Sequence, residues 1–474
     1  MKQLSTFVFF TGIALVLGVQ TPGGQSRAAV RTNIPYSEVK PILQVLRENV
    51  LPAELRAKTP AELEAGWPDW VSRRDAAIRA RVESGDEDSI INLLLFGTTF
   101  TKQPRITEHE LAGLVVRAAG TNSAVFLPSP LLRARIGDFV AAVASPGTNE
   151  RLQFAREVLR RHGFTPTTEA GRNQMRRYLE ERAKIVGSAP HLPTLLDPGA
   201  DLVDTLTLFR DRGLSSDTSI LIDFAIERAL TALEVSGVIQ PGTVRRVAIV
   251  GPGLDFTDKQ EGYDFYPQQT IQPFAVIDSL LRLGLATPAQ LQVTAFDLSP
   301  RVIQHLEAAR ARAHAGQSYA LVLPRDIDQP WTPEMVKYWE RFGDRIGGAT
   351  KAVAPTSAGR VAVRSVLVRP SVVLSTIPRD VNIVLQRLEP ASAGDQFDII
   401  LATNLLLYYD VFEQSLAVAN VARMLRPGGI FLSNDRIFEL PGSPVGRVGY
   451  TDAVYMKLPA TGENGDRIDW YQRQ

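Results

Sequence analysis

An α/β fold is predicted for this 474-residue chain: a doubly wound, mainly parallel sheet preceded by a mainly α-helical domain. Three observations predict it. Apolar residues recur three and four apart through most of the first half. Beyond "IQPGTVRRVAIVG" strand-like runs alternate with helical ones, the pattern of βαβ units. The first of those strand-like runs ends in a glycine turn, "VAIVGPGLDF".

The elements follow in order. "MKQLSTFVFFTGIALVLGV" carries Lys2 and an apolar stretch from Phe7 to Val19. That stretch is too short to span a bilayer and suits a signal-peptide core, with Ser26 and Ala28 as the small residues of a cleavage site. Residues 1–28 are therefore expected to be a signal peptide, and the chain to be exported, periplasmic or secreted. Residues 29–214 read as a helical domain. "SEVKPILQVLREN", "ITEHELAGLVVRAA" and "NERLQFAREVLRRHG" have helical spacing, and Asn149 and Gly163 mark the start and end of the last. Residues 215–445 read as the α/β domain. "RRVAIVG", "LQVTAFD", "QFDIILATN" and "GIFLSND" are its strands. Residues 324–377 read as an insertion, with a helix in "PEMVKYWERFGDRIGG" and a hairpin of "RVAVRSVLV" and "SVVLSTI". Residues 446–474 are left as a tail.

Composition removes several functions. Fifty-two basic residues face 51 acidic ones, so no nucleic-acid partner is expected. There is no cysteine, which excludes thiolate catalysis and cysteine metal sites. Five histidines are scattered without ligand spacing, and no metal site is expected. No segment after the N-terminus is long and apolar enough for a membrane span. The oligomeric state is not readable.

The glycine turn has two readings. Gly251 and Gly253 remove Cβ atoms where a ligand approaches the strand end, or they only form a tight turn. Asp297 closes the second strand just before Ser299-Pro300. It either accepts hydrogen bonds from ribose hydroxyls or helps cap the following helix. The third glycine of the dinucleotide fingerprint is replaced by Leu254.

Together "VAIVGPG", "VTAFDLS", "FDIILATNLLLYYD" and "MLRPGGIFLSN" resemble the motifs of class I S-adenosylmethionine-dependent methyltransferases. The resemblance covers 215–445, and "ATNLLLYYD" looks like the chemotaxis-receptor methyltransferase branch. It implies a Rossmann-like fold and S-adenosyl-L-methionine as cofactor, held by Gly251, Gly253, Asp297, Leu298 and Asn404. It implies methyl transfer to a small molecule or protein side chain, with Tyr408 and Tyr409 on the acceptor side. Tyr266, in the aromatic loop after the turn, is a further acceptor-side candidate. The third motif is expected near "VNIVLQRLEP", with Leu388 or Glu389 at the adenine contact. No catalytic residue is named, because an activated methyl group needs placement more than acid–base help. Two alternatives stand beside this reading. One is a non-catalytic exported ligand-binding or interaction protein on the same fold, and the other is an NAD-dependent oxidoreductase.

Overall fold

The computed structural model describes residues 30–106, 115–117, 124–126, 129–188, 213–215, 218–257, 262–355, 358–458 and 462–474. The expected signal peptide lies outside the described residues. Strand β1 (Val30–Asn33) is followed by α1 (Tyr36–Val45) and α2 (Pro60–Phe96). Then come a short strand pair, β2 (Val115–Arg117) and β3 (Ala124–Phe126), and helices α3 (Pro130–Ala144), α4 (Glu150–Arg161) and α5 (Glu169–Ser188). Helix α6 (Ile220–Val235) leads into the alternating part: β4 (Arg246–Val250), α7 (Gln272–Arg282), β5 (Gln292–Asp297) and α8 (Pro300–His314). Next are β6 (Tyr319–Asp326), α9 (Pro333–Arg341), β7 (Gly347–Thr350), β8 (Val361–Val368), α10 (Pro370–Ser375) and β9 (Thr376–Asp380). The chain ends with β10 (Gln386–Glu389), β11 (Phe397–Ala402), α11 (Val411–Met424), β12 (Leu425–Ser433), β13 (Val445–Leu458) and β14 (Gly462–Arg473).

Seven strands form the central sheet, in the order β13-β14-β12-β11-β4-β5-β9. Contacts among β9, β5, β4, β11 and β12 are parallel, and β14 runs antiparallel to both β12 and β13. Numbered by appearance within the sheet, the order is 3-2-1-4-5-7-6. The dinucleotide fold shares 3-2-1-4-5 and then continues with strand 6. Here the last two strands are a hairpin, with the antiparallel arm inserted. This mixed α/β arrangement is consistent with a Rossmann-like methyltransferase fold.

The strand sequences explain the burial. Along β4, Val247 and Ile249 face one core while Ala248 and Val250 face the other. Ile399 and Leu401 of β11 alternate with Ile400 and Ala402 in the same way. Both faces are covered by helices, so these strands read as continuous apolar runs. Helices α6 and α7 cover the first face, and α11 with the first half of α2 covers the second.

Packing does not divide at residue 214. Trp67, Trp70, Val71 and Ile78 of α2 share a core with Ala248, Phe296 and Phe412. Trp70 stacks on Trp67 at 4.8 Å and meets Phe412 edge-on at 5.8 Å. Further along α2, Ile90 through Leu95 join a helical core with Ile136, Phe139 and Leu179. Strand β1 also crosses the boundary, pairing antiparallel with β10.

Three expectations are corrected. "SVVLSTI" is not a hairpin arm. Its residues form α10 and the start of β9, which pairs with β5 as the third strand of the main sheet. β9 hides in the sequence because it is a short edge strand carrying Pro378. The partners of β8 are instead β6 and β7. Leu388 and Glu389 do not follow the third strand; they sit on β10 against β1. Residues 446–474 are not a tail but the hairpin β13–β14. The polar first half of β14 conceals it, because that half pairs only with β13 beyond the end of β12.

Candidate functional site

The strand order reverses between β4 and β11, so a crevice is expected beyond their carboxyl ends. Gly251 and Gly253 lie there with φ of +70° and +63°, a left-handed conformation that favours glycine. Gly251 donates its N–H to the Phe296 carbonyl at 2.8 Å, tying the turn to β5. A Cβ added at Gly251 would meet only Leu405 Cδ1, at 3.3 Å across the crevice.

Asp297 closes the same crevice from the end of β5. Its Oδ1 accepts the Ser299 N–H at 2.8 Å. Burial pushes its pKa up to about 6, against the opposing pull of the Ser299, Gly253 and Leu298 backbone N–H groups and of Arg301. Ser299, at the N-cap of α8, makes no side-chain cap of its own. Asp297 therefore does stabilise the start of that helix. It also binds the glycine turn through Gly253. Leu298 contributes its backbone N–H, and its side chain packs on the second core.

Asn404 follows β11 with φ of +53°. It forms a reciprocal pair with Asn434 beyond β12: Asn404 N–H donates to Asn434 Oδ1, and Asn434 Nδ2 donates to Asn404 Oδ1, both at 2.7 Å. Asn434 also reaches Asp466 at 3.3 Å. Asp435 accepts the Leu405 and Leu406 N–H groups, and burial pushes its pKa up to about 6. The loop that carries Asn404 is thus fixed by two polar residues that end the neighbouring strand.

The aromatic candidates are placed differently. Tyr266 is buried, donates to Asp255 at 2.9 Å, and lies under the Arg151 guanidinium. Tyr409 is buried in the second core beneath Arg81. The Tyr408 carbonyl accepts from Arg81 at 2.7 Å. These side chains hold the loops around the crevice. The loop after Gly253 is clamped from the helical side: Thr98 and Thr99 each donate N–H and hydroxyl to Asp264, and Arg151 donates to the Phe256 and Tyr266 carbonyls.

No family model and no curated protein matches the chain. Solved structures do show likeness. The N-methyltransferase NodS of Bradyrhizobium japonicum is 11% identical over 52% of this chain and 94% of its own, with a TM-score of 0.23. The rRNA methyltransferase aviRa of Streptomyces viridochromogenes is 13% identical over 60% and 96%, with a TM-score of 0.27. The glycopeptide N-methyltransferase MtfA, complexed with S-adenosyl-L-methionine, is 14% identical over 52% and 76%, with a TM-score of 0.21. At such scores the site is read from this chain's own residues.

Several polar residues at the crevice have no motif to announce them. Gln272, at the start of α7, donates to the Thr403 hydroxyl at 3.0 Å. Asp223, in the first turn of α6, is buried, and its pKa lies well above the carboxylate range because of that burial. The only readable signal was a carboxylate inside the otherwise apolar "SILIDFAI". Among the described residues no cluster of metal-ligating side chains occurs, and no helix is long and apolar enough to cross a membrane.

Proposed function

We propose that this chain performs S-adenosylmethionine-dependent methyl transfer in the crevice beyond β4, β5 and β11. The observation that carries the reading is the join of Gly253 to Asp297 at the point where the strand order reverses. That join puts a Cβ-free backbone and a buried carboxylate side by side. The residues fit the cofactor. Gly251 leaves open space toward Leu405, and a carboxylate has about four acceptor positions, so Asp297 retains capacity for a ribose hydroxyl beyond its backbone bonds. The bound sulfonium supplies an already activated methyl group. The chain's own task is to orient the acceptor and exclude water, and the clamped loop after Gly253 suits the second part.

The chemotaxis-receptor likeness draws support from Asn404 alone, since Tyr409 faces the core. NAD chemistry is disfavoured by Leu254, which fills the space between β5 and α8 with Ala295, Val302 and Leu306. Helix α7 also starts only at Gln272, so no helix N-terminus directly follows the turn to receive a pyrophosphate. A second reading, a non-catalytic ligand-binding module, is favoured by Asp297 already serving its helix.

Calorimetry with S-adenosylmethionine, S-adenosylhomocysteine and NAD separates these readings. Methyl transfer requires the first two to bind and NAD to fail. Asp297→Ala should then weaken S-adenosylhomocysteine roughly ten- to a hundredfold, the loss of about 1.5–3 kcal/mol expected of a charge-assisted bond. A variant that loses about 1 kcal/mol of stability and binds like the parent assigns Asp297 to the helix cap alone. Export of the chain is likewise proposed, and N-terminal sequencing of native protein tests cleavage near Ala28.

A further inference from the structure

Asp223 is buried at 1% exposure, and neither of its carboxyl oxygens has a hydrogen-bond partner. The Gln272 amide acts on it weakly, and burial outweighs that pull. No cation of the chain serves it. Arg282 and Arg341, which lie on the same side, are engaged by Glu227, and Arg282 also by Asp278. Beside Asp223 stands Tyr338, equally buried, whose hydroxyl is also without a partner.

The position of this pair is as informative as its bonding. Gln272 connects Asp223 to the Thr403 hydroxyl, and Thr403 adjoins Asn404 at the end of β11. Exposure falls stepwise along that path. Asn404 is open to solvent, Thr403 is 8% exposed, and Asp223 is closed off. A polar track therefore leads from the crevice, on the side away from Asp297, to a carboxyl that lacks a donor. A core built only for stability satisfies such a group or replaces it with an apolar one.

We propose that Asp223 is the acceptor-side carboxylate of the crevice and binds an amine, with the Tyr338 hydroxyl as a second contact. An ammonium offers three donors and a charge to an acceptor with none. The substrate class is thus a primary or secondary amine with an apolar neighbour, since Phe224 lies 5.6 Å from the Tyr338 ring. This proposal rests on the methyl-transfer reading for its chemistry. One N–H proton passes from the ammonium to the carboxylate. The freed nitrogen pair forms the N–CH₃ bond, while the C–S pair of the sulfonium donor stays on sulfur as a thioether. The carboxyl then returns the proton to solvent.

Binding tests this without requiring turnover. Benzylamine, benzyl alcohol and benzoate are titrated into the full chain by calorimetry, with and without S-adenosylhomocysteine. The parent should bind benzylamine at least tenfold more tightly than benzyl alcohol. Asp223→Asn should lose that preference while its S-adenosylhomocysteine affinity stays within twofold. Asp223→Ser serves if the asparagine variant does not fold. A parent without amine preference overturns the proposal, and so does a folded Asp223 variant that keeps it. If S-adenosylhomocysteine fails to bind while the amine preference depends on Asp223, the amine site stands and the methyl-transfer reading falls.

Discussion

The pKa of Asp297, raised to about 6, gives the crevice a pH signature. An unfolded Asp titrates near 3.9, so the folded state favours the protonated form. The stability this supplies is fully present below about pH 4 and is lost as pH rises through about 6. Ligand binding has the opposite sign, because ribose hydroxyls donate to the carboxylate. We expect S-adenosylhomocysteine affinity to rise between pH 5 and 7 in the parent and to stay flat in Asp297→Asn, measured by calorimetry at each pH. The glycine turn makes a second prediction at this scale. Both glycines hold positive φ, so a side chain costs stability whatever the turn is for. Gly251→Ala should lose about 1–2 kcal/mol on that ground, read by denaturant melts. The ligand role is then seen only as an additional loss of S-adenosylhomocysteine affinity. Legibility in the sequence followed the same division. Gly251, Gly253, Asp297 and Asn404 were readable because each closes or follows a strand of visible periodicity. Asp223, Gln272 and Asn434 were not, because their roles depend on partners far away in the chain.

At the scale of elements, β4, β5, β11 and β12 were legible as apolar runs, because helices cover them on both faces. β9 and β14 were not. One is an edge strand with a proline, and the other alternates only where it meets β12. Helix α2 shows the limit of periodicity most clearly. Its buried side changes along its length, because it serves one core through Trp67 and Trp70 and another through Ile90 to Leu95. Its start is secured by a reciprocal Thr59–Glu62 capping box. The predicted consequence is local and large. Trp70→Ala should cost about 3–5 kcal/mol, measured by equilibrium denaturation, because it empties the contact between Trp67 and Phe412.

For the whole molecule, helical and α/β parts are one packing unit around the second face of the sheet. Residues 215–474 produced alone would expose the surface that α2 covers, including Ala248, Val250 and Phe296. We expect that fragment to aggregate or to melt far below the full chain, and a soluble fragment with a parent-like melting temperature would refute the shared core. The pairing of β1 with β10 bears on how the chain comes together during synthesis. Val30 partners Glu389, so the first described strand has no mate until the ribosome has made almost the whole protein. The buried Arg387, which holds Glu38 at 2.6 Å and Glu389 at 2.7 Å, emerges equally late. So distant a closure is slow to find. The beginning of this polypeptide must therefore wait, open to chaperones and proteases, for its end to arrive.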